Sequence, residues 1–106
     1  MPKYLVEGHF TTEGAKGIAK EGGTARRTAI AKLVEGVGGK LGSYYFAFGG
    51  ADAFVIVDLP DSVTAAALSL AVNKSGAVAS KTVVLLTPEE MDQASKKALD
   101  YRAPGH

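Results

Sequence analysis

The chain has no cysteine and no tryptophan. Without cysteine there is no disulfide framework, thiolate nucleophile, zinc knuckle or iron–sulfur site, and the expected compartment is a reducing one, the cytoplasm. No uninterrupted apolar run approaches the roughly 18 to 20 residues that cross a bilayer. Met1-Pro2-Lys3-Tyr4 leads into a patterned segment rather than into the apolar core of a signal peptide. Charge of either sign is not in excess: twelve Lys and Arg against eleven Asp and Glu leave +1. A balance of that kind gives no broad attraction to nucleic acid or anionic lipid. What is present is one small domain: 106 residues, 46% hydrophobic and 22% charged, enough for a single modest core and too short for two.

Alternation from Lys3 to Phe10 puts Tyr4, Val6, Gly8 and Phe10 on one side and Leu5, Glu7 and His9 on the other, which reads as a strand. Thr11 to Gly23 carries Gly14, Gly17, Gly22 and Gly23 with Ile18 its only large apolar residue. That composition predicts a long loop with at most one helical turn, of the kind that serves as a lid. Thr24 then caps a helix whose apolar positions Ala29, Ile30, Leu33, Val34 and Val37 recur at three- and four-residue spacing, with Arg26, Arg27, Lys32 and Glu35 mostly on other faces. Gly38-Gly39 supplies its left-handed stop.

Leu41 to Phe48 and Ala53 to Asp58 read as two strands of an antiparallel hairpin across Gly49 to Asp52. Pro60-Asp61 starts a second helix with a stripe of Val63, Ala66, Ala67, Leu70 and Ala71, ending over Asn73 to Gly76. Val78 to Leu86 is a fourth strand. Thr87-Pro88-Glu89-Glu90 joins an N-cap hydroxyl, proline at the first helical position and glutamate three residues past the cap, opening a third helix that runs to about Ala98. Residues 1–100 thus make one domain and 101–106 a tail.

The order β-α-β-β-α-β plus a terminal helix is the α+β, ferredoxin-like split βαβ arrangement, with an antiparallel four-stranded sheet. Right-handed crossovers put both helices on one face of that sheet and leave the other uncovered. Tyr44, Phe46 and Phe48 oppose Tyr45 and Ala47; Phe54 and Ile56 oppose Ala53, Val55 and Val57; Val84 and Leu86 oppose Val83 and Leu85. Strands apolar on both faces belong to sheets buried on both sides. A standard interface of about 1,600 Å², a little over half apolar, gives some 20 kcal/mol gross at roughly 25 cal/mol per Å² before the costs of association. A second copy of the chain is the simplest cover, so the expected partner is the chain itself, as a two-fold homodimer or a higher homo-oligomer.

Gly38-Gly39-Lys40-Leu41, Tyr44-Tyr45-Phe46, Gly49 with Asp52, Pro60-Asp61, the upstream Thr12-x-Gly14 and Arg27, and the later Thr87-x-Glu-Glu together resemble the GYD domain family over most of the chain. The resemblance implies a dimeric α/β barrel, in which ferredoxin-like subunits pair through their sheets. It brings no established biochemical function. Relatives in the wider group include cofactor-independent monooxygenases, muconolactone-isomerase-like proteins and haem enzymes, so the fold selects no reaction. The family is named for a glycine, tyrosine, aspartate signature in the hairpin turn. Here Ala51 stands at the tyrosine position, so a role for that hydroxyl is not implied.

The side chains with chemistry to offer are few. His9 shares a strand face with Glu7, a pair suited to acid–base work near neutral pH, although a strand-end histidine more often is simply hydrogen-bonded within the dimer. Asp52 is placed to accept a proton from a substrate, although an aspartate after Gly49-Gly50 more often bonds backbone in its own turn. Tyr44 and Tyr45 point to opposite sheet faces. Arg26 and Arg27 open a helix where its dipole disfavours cations, which a structural ion pair explains, as do an anionic ligand or solvation. His9, Glu7 and Asp52 offer at most one nitrogen and two oxygens to a metal, and no metal or other cofactor is expected. Gly36-Val37-Gly38-Gly39-Lys40-Leu41 ends a helix instead of opening one, so it is not a phosphate loop. The RNA-binding aromatics are missing around Ala53-Phe54-Val55.

The resulting expectation is a homo-oligomeric domain that binds a small apolar or aromatic organic molecule between sheet and helices, under a roof formed by Thr11 to Gly23. Tyr4, Tyr45, Thr12 and Arg27 are the binding candidates and His9 and Asp52 the catalytic ones. The alternatives are a cofactor-independent monooxygenase- or isomerase-like enzyme, which requires His9 and a second polar group to converge on one reacting atom, and a non-catalytic assembly or regulatory protein.

Overall fold

The computed structural model describes all 106 residues. The elements follow in the order β1 (Lys3–Phe10), α1 (Thr12–Glu21), α2 (Gly23–Gly36), β2 (Lys40–Phe46), β3 (Ala53–Asp58), α3 (Ser62–Lys74), β4 (Val78–Leu85) and α4 (Pro88–Ser95). The four strands form one antiparallel sheet in the order β2-β3-β1-β4. This is the ferredoxin-like α+β arrangement, with α2 and α3 laid across one face.

Three helix ends follow the capping rules. The Thr11 hydroxyl accepts the Gly14 N–H, the Asp61 carboxylate accepts the Thr64 N–H, and Thr87 with Glu90 forms a reciprocal capping box. At the end of α2, Gly38 takes φ +81°. Gly38 N–H then donates to Glu35 O at 3.0 Å and Gly39 N–H to Val34 O at 2.9 Å, the paired bonds of a Schellman stop.

The first departure from the sequence reading is α1. Thr11 to Gly23 is not a loop: Thr12–Glu21 is a ten-residue helix. Its glycines suit this place because the helix runs against backbone. A Cβ on Gly14 would lie 2.0 Å from Ala77 O, so only glycine admits this approach. Thr11 completes the seam, its N–H donating to Ala77 O at 3.0 Å and its hydroxyl to Gly76 O at 2.9 Å.

The second departure is the inward face of α3. Ala65, Leu68, Ser69 and Val72 face the sheet, while Val63 and Leu70 of the expected stripe are 79% and 72% exposed. Nearly every position of this helix is apolar or small, so two stripes compete on spacing and the packing against β4 selects one. At the ends of elements, β2 stops at Phe46 and leaves Phe48 fully exposed, and α4 ends at Ser95 with no buried residue.

The core lies between sheet and helices, built on Tyr4, Val34, Val55, Val57, Leu59 and Ala65. Eleven of 106 residues are buried, a thin core that leaves much apolar surface in water. The far face of the sheet is uncovered and mixed in character. Its central row runs Ser43, Ile56, Leu5, Val83, and the next runs Tyr45, Phe54, Glu7, Lys81. Lys3 and Asp58 pair on the same face, Nζ to Oδ1 at 2.8 Å. That face is therefore less uniformly apolar than the strand compositions predict, because β1 and β4 contribute Glu7 and Lys81 to it.

Candidate functional site

One row of the sheet has unusually short side chains on the helix side. Ala53, Gly8 and Ser80 lie opposite one another across β3, β1 and β4, so the floor recedes beneath α2 and α3. The void left there is about 80 Å³, enough by volume for several waters. Its walls are apolar: Val6 and Phe10 of β1, Val55 of β3, Ile30 and Leu33 of α2, Leu68 and Val72 of α3. Phe10, Phe46 and Tyr44 form a tilted aromatic run beside it, with centroids 6.3 Å and 5.0 Å apart.

Few polar groups reach this cleft. The hydroxyls of Ser69 and Ser80 are engaged by Asn73, whose Nδ2 donates to Ser69 Oγ at 3.3 Å and whose Oδ1 accepts Ser80 Oγ at 3.3 Å. That leaves Thr82, Tyr44 and Arg26 among the lining residues. Burial pushes the Tyr44 phenol above its ordinary 10.0; the Arg26 guanidinium pulls the other way through a hydrogen bond and its charge, and the Glu21 carboxylate adds to the rise. A phenol keeps its proton at neutral pH even at its ordinary value, so Tyr44 has a hydrogen to donate. Arg26 Nε is buried and has no hydrogen-bond partner. The ion pair expected for Arg26 and Arg27 does not form, Lys3–Asp58 being the chain's single salt bridge.

The residues singled out from the sequence do not converge here. His9 lies on the uncovered face, opposite Ala79, because β1 alternates and Val6, Gly8 and Phe10 take the cleft side. Tyr45 is on that far face as well, 71% exposed. Tyr4 does face the helices, but it is core: 2% exposed, with its hydroxyl 3.2 Å from Ser62 Oγ. Asp52 performs turn work, its Oδ2 accepting the Phe10 N–H at 2.8 Å, its N–H donating to Gly8 O at 2.8 Å and its carbonyl accepting Ala47 N–H at 2.8 Å. Thr12 and Arg27 are exposed on α1 and α2. Ala51 is buried in the turn and brings no hydroxyl.

Neither Arg26 nor Tyr44 is among the site candidates that the sequence suggests, yet both line the cleft. The signal for Arg26 was there: Arg26, Ile30 and Leu33 are spaced by four and three residues, which puts the guanidinium on the helix face that carries the apolar stripe. His9, Glu7 and Asp52 assemble no ligand set, and no group of three metal-ligating side chains occurs elsewhere. No helix is long and apolar enough to cross a membrane.

No curated protein and no solved structure matches the chain. A family model does, that of the GYD domain, over residues 4–95. The match takes in all four strands, and the chain belongs to the GYD domain family.

Proposed function

We propose that the protein binds a small, largely apolar organic molecule in the cleft between sheet and helices, and that it does so as a homo-oligomer joined through the uncovered sheet face. The observation that carries the first part is the short-side-chain row Ala53, Gly8, Ser80 beneath α2 and α3, which leaves an apolar void with few polar groups directed at it. Binding needs no more than this. Acid–base catalysis by His9 in the cleft has the sheet in its way, which favours a binding role over the oxygenase- or isomerase-like alternative.

Support for the second part is the far face itself. Leu5, Ile56, Val83, Phe54 and Tyr45 form a continuous apolar area on a chain whose own two crossover helices lie on the opposite side. A two-fold axis would bring two such areas together and bury both at once. Native mass spectrometry of the purified protein tests both parts, since it reports subunit number and any retained small molecule together. The expected result is an even-numbered assembly carrying extra mass that collisional activation removes. A bare, lone subunit under gentle conditions contradicts the reading.

A further inference from the structure

We propose that the molecule taken into the cleft is an amphipathic anion, a small organic acid whose carboxylate or equivalent oxyanion docks on Arg26 while its apolar body lies over Gly8 and Ala53. The inference rests on the cleft being a ligand site and adds the class of ligand.

Arg26 is the one charged residue lining the cleft. Its Nε is out of reach of solvent and bonds nothing, and no carboxylate of the chain pairs with its guanidinium. A buried donor of a charged group left without an acceptor is costly, and near the start of α2 the helix dipole adds to that cost. An arginine whose charge no carboxylate of the chain balances is explained by an anion that arrives from outside. Nε being closed off, the Nη groups are the donors that face outward, and a carboxylate meeting them gains a charge-assisted hydrogen bond.

The position of Arg26 also orients the ligand. Arg26, Phe10 and Val78 border both the cleft and an adjoining depression along α1 that Glu13 and Glu21 also line. The guanidinium therefore stands at the mouth, with the apolar void on its inner side. A charged head is held where water still reaches it, and the body enters where water is excluded. Tyr44, which shares a hydrogen bond with Arg26, is a second donor beside the same head. A cationic ligand is repelled by Arg26, and a neutral one leaves its charge unbalanced. Glu21 is the chain's own competitor, lining the depression that Arg26 also borders.

The test is a pair of probes with one body and different heads, phenylacetate and phenylacetamide, titrated into the full chain and followed by ¹H–¹⁵N spectra. The amides of Gly8, Ala53 and Ser80 report the cleft floor, and the Arg26 Nε–H signal reports the head. The expected outcome is that both probes shift the floor amides, that phenylacetate binds about tenfold more tightly, the ratio of one charge-assisted hydrogen bond, and that it moves the Nε–H signal of the guanidinium further than phenylacetamide does. Arg26→Gln should bring the two probes to equal affinity. Equal affinity in the unaltered protein with Nε–H unmoved overturns the anion assignment and leaves the cleft reading intact. Nε–H already downfield without probe, and restored by Glu21→Gln, overturns it in favour of an internal Glu21–Arg26 pair. Floor amides unmoved by either probe overturn the cleft reading together with the inference. The Nε–H readout belongs to the unaltered protein, so it decides the matter even where Arg26→Gln does not fold.

Discussion

The Asp52 carboxylate accepts the backbone N–H of Phe10 at 2.8 Å across 42 positions of sequence, tying the β2–β3 turn to the end of β1. The aspartate expected to serve a substrate is thus committed to the fold. Removing it leaves the Phe10 N–H without its charged acceptor. Asp52→Ala should cost about 1 to 3 kcal/mol in urea unfolding, whereas Asp52→Asn, which keeps an acceptor oxygen, should cost less. If Asp52→Ala unfolds at the same urea concentration as the unaltered protein, the turn does not depend on this bond.

Two glycines of α1 should respond with opposite sign. At Gly14 a methyl group would lie 2.0 Å from Ala77 O, so Gly14→Ala must push the helix off the segment that leads into β4, at a cost of about 1 to 3 kcal/mol. Around Gly17 there is nothing within 4 Å, and Gly17→Ala should stabilise by about 0.4 to 1 kcal/mol by restricting the unfolded chain. Thermal unfolding of the two variants side by side decides it; a shift of the same sign in both contradicts the packing of α1 against Ala77.

Asp61 gives the fold an acid sensitivity. The Thr64 N–H, at 2.8 Å from its Oδ1, holds the exposed Asp61 carboxyl below its ordinary 3.8, with the Thr64 side chain adding to the effect. A carboxylate whose pKa is lower folded than unfolded contributes stability that is complete above the unfolded value and is lost as pH falls through the lowered folded value. Asp61→Asn keeps the cap and removes the titration. Unfolding measured from neutral to strongly acidic pH should therefore fall more steeply for the unaltered protein than for Asp61→Asn, in the window at and below 3.8. Parallel curves would remove Asp61 from the account.

Ile56 sits in the central row of the uncovered face, between Leu5 and Ser43. In an assembly joined through that face, Ile56→Lys buries a charge at the centre, a penalty of several kcal/mol. In sedimentation velocity at low micromolar concentration, the unaltered chain should run as an oligomer and Ile56→Lys as a single subunit. An unchanged assembly would place the interface elsewhere.

How far these features could be read from the residues alone differs from element to element. Thr87-Pro88-Glu89-Glu90 announced α4 because a capping box is a local event whose partners lie within one turn. The strand order followed from alternation and connection lengths, which tertiary packing seldom overrides. Gly14 misled because the same residue that breaks helices in isolation is required where a helix touches backbone, and that contact, with Ala77, is 63 positions away. On α3 two stripes were equally plausible by spacing, and only the sheet beneath could choose between Leu68 and Leu70. The site was half legible. The alternation of β1 already separated Gly8 from His9, yet His9 drew the eye because imidazole carries chemistry and glycine does not. What makes the cleft is the alignment of Gly8 with Ala53 and Ser80, three short residues from three strands, and that alignment exists only once the register is set.

The proposed ligand cleft stands on this short-side-chain row as its floor. Xenon under pressure in crystals of the protein is the sharpest probe of it, since xenon enters dry apolar cavities and reports its own position. A Cβ on Gly8 would meet Val78 Cγ1 at 3.5 Å and Ala53 Cβ at 3.7 Å, ordinary contact distances, so Gly8→Ala should fold normally while taking space from the void. The account predicts a xenon site above Gly8, between Val55 and Leu68, that weakens in Gly8→Ala. Well-ordered crystals with no xenon at that place in either protein would contradict it.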